Sequence, residues 1–361
     1  MADLDHNGHE LRAGLRYPWV QAPESGQVRE VAPGVWWLRM PLPFRLDHIN
    51  LYLLRDTHGW VVVDTGMNTE QTREVWGRVL DEVCAGLPVL AVVCTHFHSD
   101  HAGVGAWLSE RFQCPVYMTA SEFQALHVRF PADQPPGWDF LDFYRKAGVS
   151  DEHSAELFTV MSNAHFLPVP LNHFRRLREG SRLEIGGRTW QVVTGKGHSP
   201  EHACLYAAED GLLISGDQVL PRITSTVGVH ATEPLANPLL DWLDSITHLR
   251  SLPDTVLVLP AHERPFFNLH HRLDQLDAHH QGQLALMLAN CDEPRTALEL
   301  MSALFPRLSG RFDELMALGE TLAHANYLVA NGSLERDEDR GRYRYRCAVK
   351  SACPATSLRV F

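Results

Sequence analysis

The strongest constraint on the fold is a run of metal-ligating side chains placed directly after an apolar segment. Residues 90–94 read Leu-Ala-Val-Val-Cys, and His96, His98, Asp100 and His101 then fall within six residues. Alternate residues of an extended strand face the same way, so His96 and His98 should project together. Asp100 and His101 fall where the chain turns into a helix and can face a second point close by. Neutral imidazole and carboxylate are ligands that zinc accepts. A solvated polar turn is the alternative, but such a turn does not require these residue types.

Composition limits the class of protein. A chain of 361 residues suggests one large and one smaller domain, and a net charge of -12 disfavours a general nucleic-acid binder. The seven cysteines are scattered and odd in number, so reduced thiols are expected, although Cys347 and Cys353 could pair. The N-terminal residues do not follow a signal-peptide pattern, and no apolar run reaches about 18 residues. We therefore expect a cytoplasmic protein without a membrane span.

Short β-type runs alternate with helical patterns along most of the chain. This alternation predicts an α/β fold, a sheet covered by helices. Residues 1–30 are polar and are expected to cover the surface. Strands are predicted at 35–38, 50–55, 60–64, 90–94, 116–118, 182–185, 189–193, 203–207, 211–215 and 256–259, and helices at 69–85, 102–112 and 239–251.

Two further segments differ from this alternation. Residues 120–178 are rich in aromatic side chains and contain Pro131, Pro135 and Pro136, which predicts a helical insertion acting as a lid or pocket wall. Ordinary helical packing against the sheet is the alternative. The C-terminal part predicts helices and then a short hairpin, the order of a winged-helix module. The helices are expected at 271–290, 296–304 and 312–331, the strands at 334–336 and 342–347, and the domains at 1–30, 31–275 and 276–361.

Four other predicted strands end next to an acidic or histidine residue. These residues are Asp64, His198, Asp217 and His262. Each alone has an ordinary explanation, a turn-forming aspartate or a buried, hydrogen-bonded histidine. At one rim of a sheet they would complete the ligand set that the first cluster begins.

The ordered set Asp64, His96-x-His98-x-Asp100-His101, His198, Asp217, His262 resembles the five-motif signature of the metallo-β-lactamase superfamily, over roughly residues 30–265. The resemblance implies an αββα sandwich with a two-metal site at one edge of the sheets. It implies that His96, His98 and His198 hold one metal, that Asp100, His101 and His262 hold the second, that Asp217 bridges them, and that Asp64 orients the ligands. The C-terminal part is similar to the winged-helix-like extension of β-lactamase-like hydrolases that include endoribonucleases.

The resemblance also implies a chemistry. Two Zn²⁺ ions would lower the pKa of a shared water toward about 7, and the hydroxide would attack a carbonyl or phosphoryl centre. Asp100 could orient this nucleophile and move a proton. Asp64 and His202 are the other candidate catalytic residues; His202 either lines the pocket or packs inside the sandwich. An imidazole at His98, where di-iron oxidoreductase relatives carry a carboxylate, favours zinc over iron or manganese.

We therefore expect a metal-dependent hydrolase that uses a dizinc-bound hydroxide on a thioester or ester-type bond of a small molecule. The aromatic insertion favours an apolar acyl group. One alternative is an endoribonuclease or phosphodiesterase acting on single-stranded RNA; another is a mononuclear-iron persulfide dioxygenase. The C-terminal hairpin carries five arginines between Arg336 and Arg346, but acidic residues interleave with them, which favours a solvated hairpin. A nucleic-acid partner is thus disfavoured but stays open, and a homodimer is compatible with a winged-helix module.

Overall fold

The computed structural model describes residues 3–5, 8–128, 135–162 and 169–348. Contacts divide the chain into two compact units. The first comprises residues 1–129, 163–225 and 242–276, and the second residues 130–162, 226–241 and 277–361. Pro131 and Cys353, which the sequence singled out, lie outside the described residues. The domain boundaries drawn from the sequence stay predictions.

The first unit is built from sheets whose strands run in a simple order. A small sheet contains β1 (Asp3–Leu4), β2 (Glu10–Arg12) and β3 (Leu15–Tyr17), in that order. A large sheet has the order β10-β9-β8-β7-β6-β5-β4, formed by β4 (Val28–Ala32), β5 (Val35–Pro41), β6 (His48–Arg55), β7 (Trp60–Val63), β8 (Val89–Val93), β9 (Val116–Thr119) and β10 (Arg175–Leu177). A further sheet has the order of the chain, with β11 (Arg182–Ile185), β12 (Arg188–Gly195), β13 (His202–Ala207), β14 (Leu212–Gly216) and β15 (Leu257–Pro260).

Helices cover the sheets of this unit. They include α1 (Glu70–Glu82), α2 (Ser99–Ala102), α3 (Gly105–Phe112) and α4 (Ala120–Leu126). The next two helices in the chain, α5 (Trp138–Ala147) and α6 (Asp151–Met161), belong to the second unit. α7 (Pro238–Leu249) follows β14, and α8 (Leu269–Ala289) follows β15. In the part of the chain that the structure describes, none of the helices combines the length and apolar character needed to cross a bilayer.

The core of the first unit lies in two layers, one on each side of the large sheet. Trp37 and Tyr52 of this sheet pack with Trp190 and Leu205 of the β11–β15 sheet, all of them buried. On the opposite face, Trp76 of α1 packs with strand residues in a second cluster that also includes α3. Ser245 Oγ of α7 accepts a hydrogen bond of 2.8 Å from the Lys196 backbone, which places α7 beside the β11–β15 sheet. The layers follow the order αββα, as the sequence predicted.

The strand directions bring the candidate ligands to one edge. β7 and β8 are parallel, and so are β14 and β15. β12 is antiparallel to β13, which is antiparallel to β14, so β12 also runs with β14. The carboxyl ends of these strands therefore lead to one edge of the sandwich, the usual position of ligand sites in such sheets.

The structure departs from the predicted elements at a few places. The helix expected at 102–112 is divided, with α2 ending at Ala102 and α3 beginning at Gly105. The division occurs because the Val104 N–H donates to Thr65 Oγ1 at 3.2 Å and to the Gly66 carbonyl at 3.3 Å instead of continuing the helix. Residues 8–32, which were expected only to cover the surface, contain the strands β2, β3 and β4. β10 was missed because it is short and begins with two exposed arginines.

The second unit is mainly helical. It contains α5 (Trp138–Ala147), α6 (Asp151–Met161), the C-terminal half of α8, α9 (Ala297–Leu304) and α10 (Arg311–Ala330), and then the antiparallel hairpin of β16 (Leu334–Asp339) and β17 (Arg342–Cys347). Phe140 and Phe158 pack edge to face, with ring centroids 5.0 Å apart, and His153 lies 3.1 Å from Glu314. The aromatic segment thus packs with the C-terminal helices, and its role as a lid stays a prediction.

Two of the five arginines of the hairpin are paired with acidic side chains. Arg346 lies 2.9 Å from Glu335, and Arg344 lies 3.2 Å from Glu299. Such pairs at an exposed surface contribute little to stability, about 0–1 kcal/mol. They do, however, offset part of the positive charge of the hairpin, and a solvated hairpin stays a prediction.

Candidate metal centre

Three histidines from two loops converge at the edge of the sandwich. His96 and His98 follow β8, and His198 follows β12. His96 Nε2 lies 2.8 Å from His98 Nδ1 and 3.3 Å from His198 Nε2. One nitrogen from each ring lies within 4.8 Å of the others, so the three could hold one ion.

A second group lies beside the first. Asp100 and His101 come from α2, which begins directly after the His96–His98 loop, and His262 follows β15. Asp100 Oδ2 lies 3.5 Å from His262 Nε2 and 3.8 Å from His101 Nε2. These three ligand atoms also lie within 4.8 Å of one another.

Asp217, at the end of β14, lies between the two groups. Its Oδ1 is 3.3 Å from His262 Nε2 and 3.5 Å from His101 Nε2, and its Oδ2 is 3.4 Å from His198 Nε2. The backbone N–H of Asp217 donates to Nε2 of the fully buried His202 at 3.1 Å, and its carbonyl accepts from the Ser225 hydroxyl. The backbone on either side of the carboxylate is therefore held in place.

Hydrogen bonds behind the ligands set which ring nitrogen faces the centre. His101 Nδ1 donates to Asp64 Oδ2 at 2.8 Å, and His262 Nδ1 donates to the His48 carbonyl at 2.9 Å, so in both rings Nε2 faces inward. Asp64 also accepts from the backbone and the hydroxyl of Thr95 at 2.7 and 2.8 Å. Its φ of 60° lies in the left-handed region, which an aspartate tolerates better than most residues. Bonds of this kind commonly orient metal ligands.

The buried polar atoms of this centre fit a cation. Within the described ranges, neither His101 Nε2 nor Asp217 Oδ1 has a hydrogen-bond partner, although both are buried. A buried polar atom without a partner costs about 1–3 kcal/mol, and a cation between the two atoms would satisfy both. The donor set, imidazole and carboxylate without thiolate, suits a divalent metal.

The pKa shifts of the histidines in this centre also fit a bound cation. Burial and the neighbouring histidines lower the pKa of His96 well below its usual value, which favours the neutral, ligating imidazole. Burial alone would lower the pKa of His101, but the carboxylates of Asp64, Asp100 and Asp217 outweigh it and raise that pKa well above the usual value. The pocket thus attracts positive charge, and a metal ion can replace the proton.

Glu122 of α4 joins the two ligand loops and was missed by the sequence reasoning. It is fully buried. Its carboxylate accepts from the backbone of Phe97 at 3.0 Å, from the hydroxyl of Ser199 at 2.7 Å and from the backbone of Glu201 at 2.7 Å. Burial raises its pKa to about 7 despite these hydrogen bonds. Phe97 lies between His96 and His98, and Ser199 follows His198, so one side chain fixes both loops.

The superfamily model for the metallo-β-lactamase fold matches residues 45–262, which is more than half of the chain and includes every candidate ligand of this centre. The chain belongs to the metallo-β-lactamase superfamily. A second model, described as the metallo-β-lactamase-like C-terminal domain, matches residues 284–348. The fold and the enzyme class predicted from the sequence, a metal-dependent hydrolase of this superfamily, are thereby confirmed.

Individual relatives extend over most of the chain. A β-lactamase domain protein from Burkholderia ambifaria has 40% identity, a TM-score of 0.81, and coverage of 93% of this chain and 100% of its own. A probable metallo-hydrolase of Bacillus subtilis, YqjP, is 24% identical, covering 82% of this chain and 92% of its own length. The acyl-coenzyme A thioesterase MBLAC2 of Gallus gallus is 24% identical, covering 66% of this chain and 80% of its own length.

Proposed function

We propose that the chain is a dizinc hydrolase that cleaves a thioester or ester-type bond in a small molecule. The observation that carries this proposal is the position of Asp217, within 3.3–3.5 Å of histidine nitrogens from both ligand groups. A carboxylate shared in this way suits a pair of ions rather than one. The acyl-coenzyme A thioesterase among the relatives supports a thioester as the bond cleaved.

His96, His98 and His198 would hold one ion, Asp100, His101 and His262 the other, and Asp217 would contact both. The imidazole at position 98 favours zinc, with iron or manganese as the alternatives. When bound, two such ions lower the pKa of water toward about 7 and polarise a carbonyl group.

The protein's own side chains divide the remaining work. The Asp100 side chain is 20% exposed, against 11% for Asp217 and 3% for Asp64, so Asp100 is the carboxylate best placed to meet a substrate. In this proposal it orients the attacking water, accepts its proton and passes the proton to the leaving group. Asp64 and His202 act by position, the first by holding His101 and the second by holding Asp217.

In this proposal the enzyme acts on a small molecule as its only substrate partner and works in the cytoplasm. In this proposal the C-terminal helices and hairpin are a winged-helix-like module that serves as a dimer contact rather than in RNA binding. The ion pairs of Arg344 and Arg346 support this, because paired arginines attract a phosphate backbone less strongly.

A substrate panel tests this function. Zinc-loaded protein is incubated with acyl thioesters and esters of increasing chain length and with a labelled single-stranded RNA. Iron-loaded protein is incubated with a persulfide under oxygen-uptake recording. We expect thioester hydrolysis that falls at least about 100-fold in His98→Ala, because loss of a ligand should cost at least as much as loss of a ligand's support. His58→Ala, which removes an exposed histidine in the β6–β7 turn, should leave the rate unchanged.

RNA cleavage that disappears in His98→Ala, with no thioester turnover, would overturn the proposal in favour of a nuclease. Oxygen uptake by a chain that contains one iron would overturn it in favour of a dioxygenase.

A further inference from the structure

A second group of metal-ligating side chains lies in the second unit, outside the superfamily signature. His279 and His280 come from α8, and Glu320 comes from α10. One ligand atom from each of these residues lies within 4.8 Å of the others. His324, one helical turn after Glu320, brings its Nε2 to 3.3 Å from His280 Nδ1.

The Glu320 carboxylate is the feature that needs an explanation. Its residue is only 8% exposed, and one carboxylate oxygen lies within 4.8 Å of a ring nitrogen of His279 and of His280. Burial raises its pKa to about 7. A buried carboxylate is costly unless a cation or hydrogen-bond donors accompany it. The groups that face it are the two histidines of α8.

The histidines offer the form that binds metals. His324 Nδ1 donates to the Glu320 carbonyl at 2.7 Å, so its Nε2 carries the lone pair that faces His280. Both rings are fully buried, which favours the neutral imidazole that binds metals. His279 is only partly buried, which leaves a route for an ion from solvent.

We propose that His279, His280 and Glu320 bind one divalent transition-metal ion, zinc by the chemistry of the donors, with His324 as a neighbouring fourth ligand or as the support of His280. The ion would link α8 to α10 and neutralise the buried carboxylate. Its role would be structural, because metal binding to a buried ligand set adds directly to folding stability. The competing arrangement is a hydrogen-bonded histidine pair beside a protonated Glu320.

Zinc content and anomalous scattering separate the two arrangements. The full chain is loaded with zinc, desalted, and analysed for bound zinc as wild type, Glu320→Gln and His279→Ala. We expect each variant to hold one zinc per chain fewer than the wild type. His271→Ala, an exposed histidine of the same helix, should hold as much as the wild type. All of these proteins keep the metal centre of the first unit, so a difference in zinc content reports on the second unit alone. The result therefore does not depend on the proposed hydrolase activity.

Equal zinc in wild type and Glu320→Gln would overturn the proposal. If a variant does not fold by circular dichroism, crystals of the wild-type chain soaked in zinc decide. An anomalous peak beside His280 and Glu320 supports the site, and a map without that peak, with peaks elsewhere, overturns it.

Discussion

Asp217→Ala is expected to reduce hydrolysis at least about 100-fold and to lower the zinc content of the first unit. Among the residues that the structure describes, Asp217 is the one carboxylate that lies beside histidines of both ligand groups, at 3.3 and 3.5 Å from His262 and His101 and at 3.4 Å from His198. Substitutions behind a ligand already cost about 10–100-fold, and loss of a shared ligand should exceed that range. The measurements are kcat/KM on the best substrate of the panel and zinc per chain.

Asp81→Ala is the matched control for this prediction, since it removes an exposed aspartate at the end of α1. It should match the wild type in both measurements. An Asp217→Ala protein that keeps its zinc and its rate would show that Asp217 is not a ligand.

Glu122→Ala is expected to destabilise the metal-free protein by about 3 kcal/mol or more and to weaken zinc binding about 10–100-fold. The substitution leaves three donors, at Phe97, Ser199 and Glu201, without their acceptor in a buried site. Each such donor costs about 1–3 kcal/mol. Urea unfolding of the metal-free protein measures the first effect, and competition with a zinc chelator measures the second.

Glu122→Gln should lie between the wild type and Glu122→Ala. The amide oxygen can still accept from Ser199 and Glu201. The amide NH₂ group then faces the Phe97 N–H, which loses its acceptor. Glu110→Ala, at an exposed position of α3, is the control for loss of a glutamate. If the Glu122→Ala protein had the same free energy of unfolding and the same zinc affinity as the wild type, Glu122 would not hold the two ligand loops.

The alternation of strands and helices and the edge that carries the centre could be predicted because both depend on local signals, whereas the αββα order of the layers was implied by the resemblance to the superfamily. Apolar runs mark the strands, and the residues that follow strands running in the same direction must meet at one edge. His96, Asp217 and His262 could be predicted in this way although more than 160 residues separate the first from the last. The split between α2 and α3 could not, because it depends on hydrogen bonds from the Val104 N–H to the loop after β7.

The residues that support the ligands were harder to predict for the same reason. Glu122 and His48 contact backbone groups of loops that are distant in sequence, and such hydrogen bonds leave no periodic pattern. The packing of the aromatic segment with the C-terminal helices rests on pairs such as His153 with Glu314, which are 161 positions apart. Only the folded chain brings these residues together.

A zinc anomalous difference map from crystals of the loaded chain tests the central claim most directly. The account predicts two peaks in the first unit, one beside His96, His98 and His198 and one beside Asp100, His101 and His262, with the Asp217 carboxylate between them. A single peak in that unit, or density that shows these side chains turned away from any ion, would contradict it.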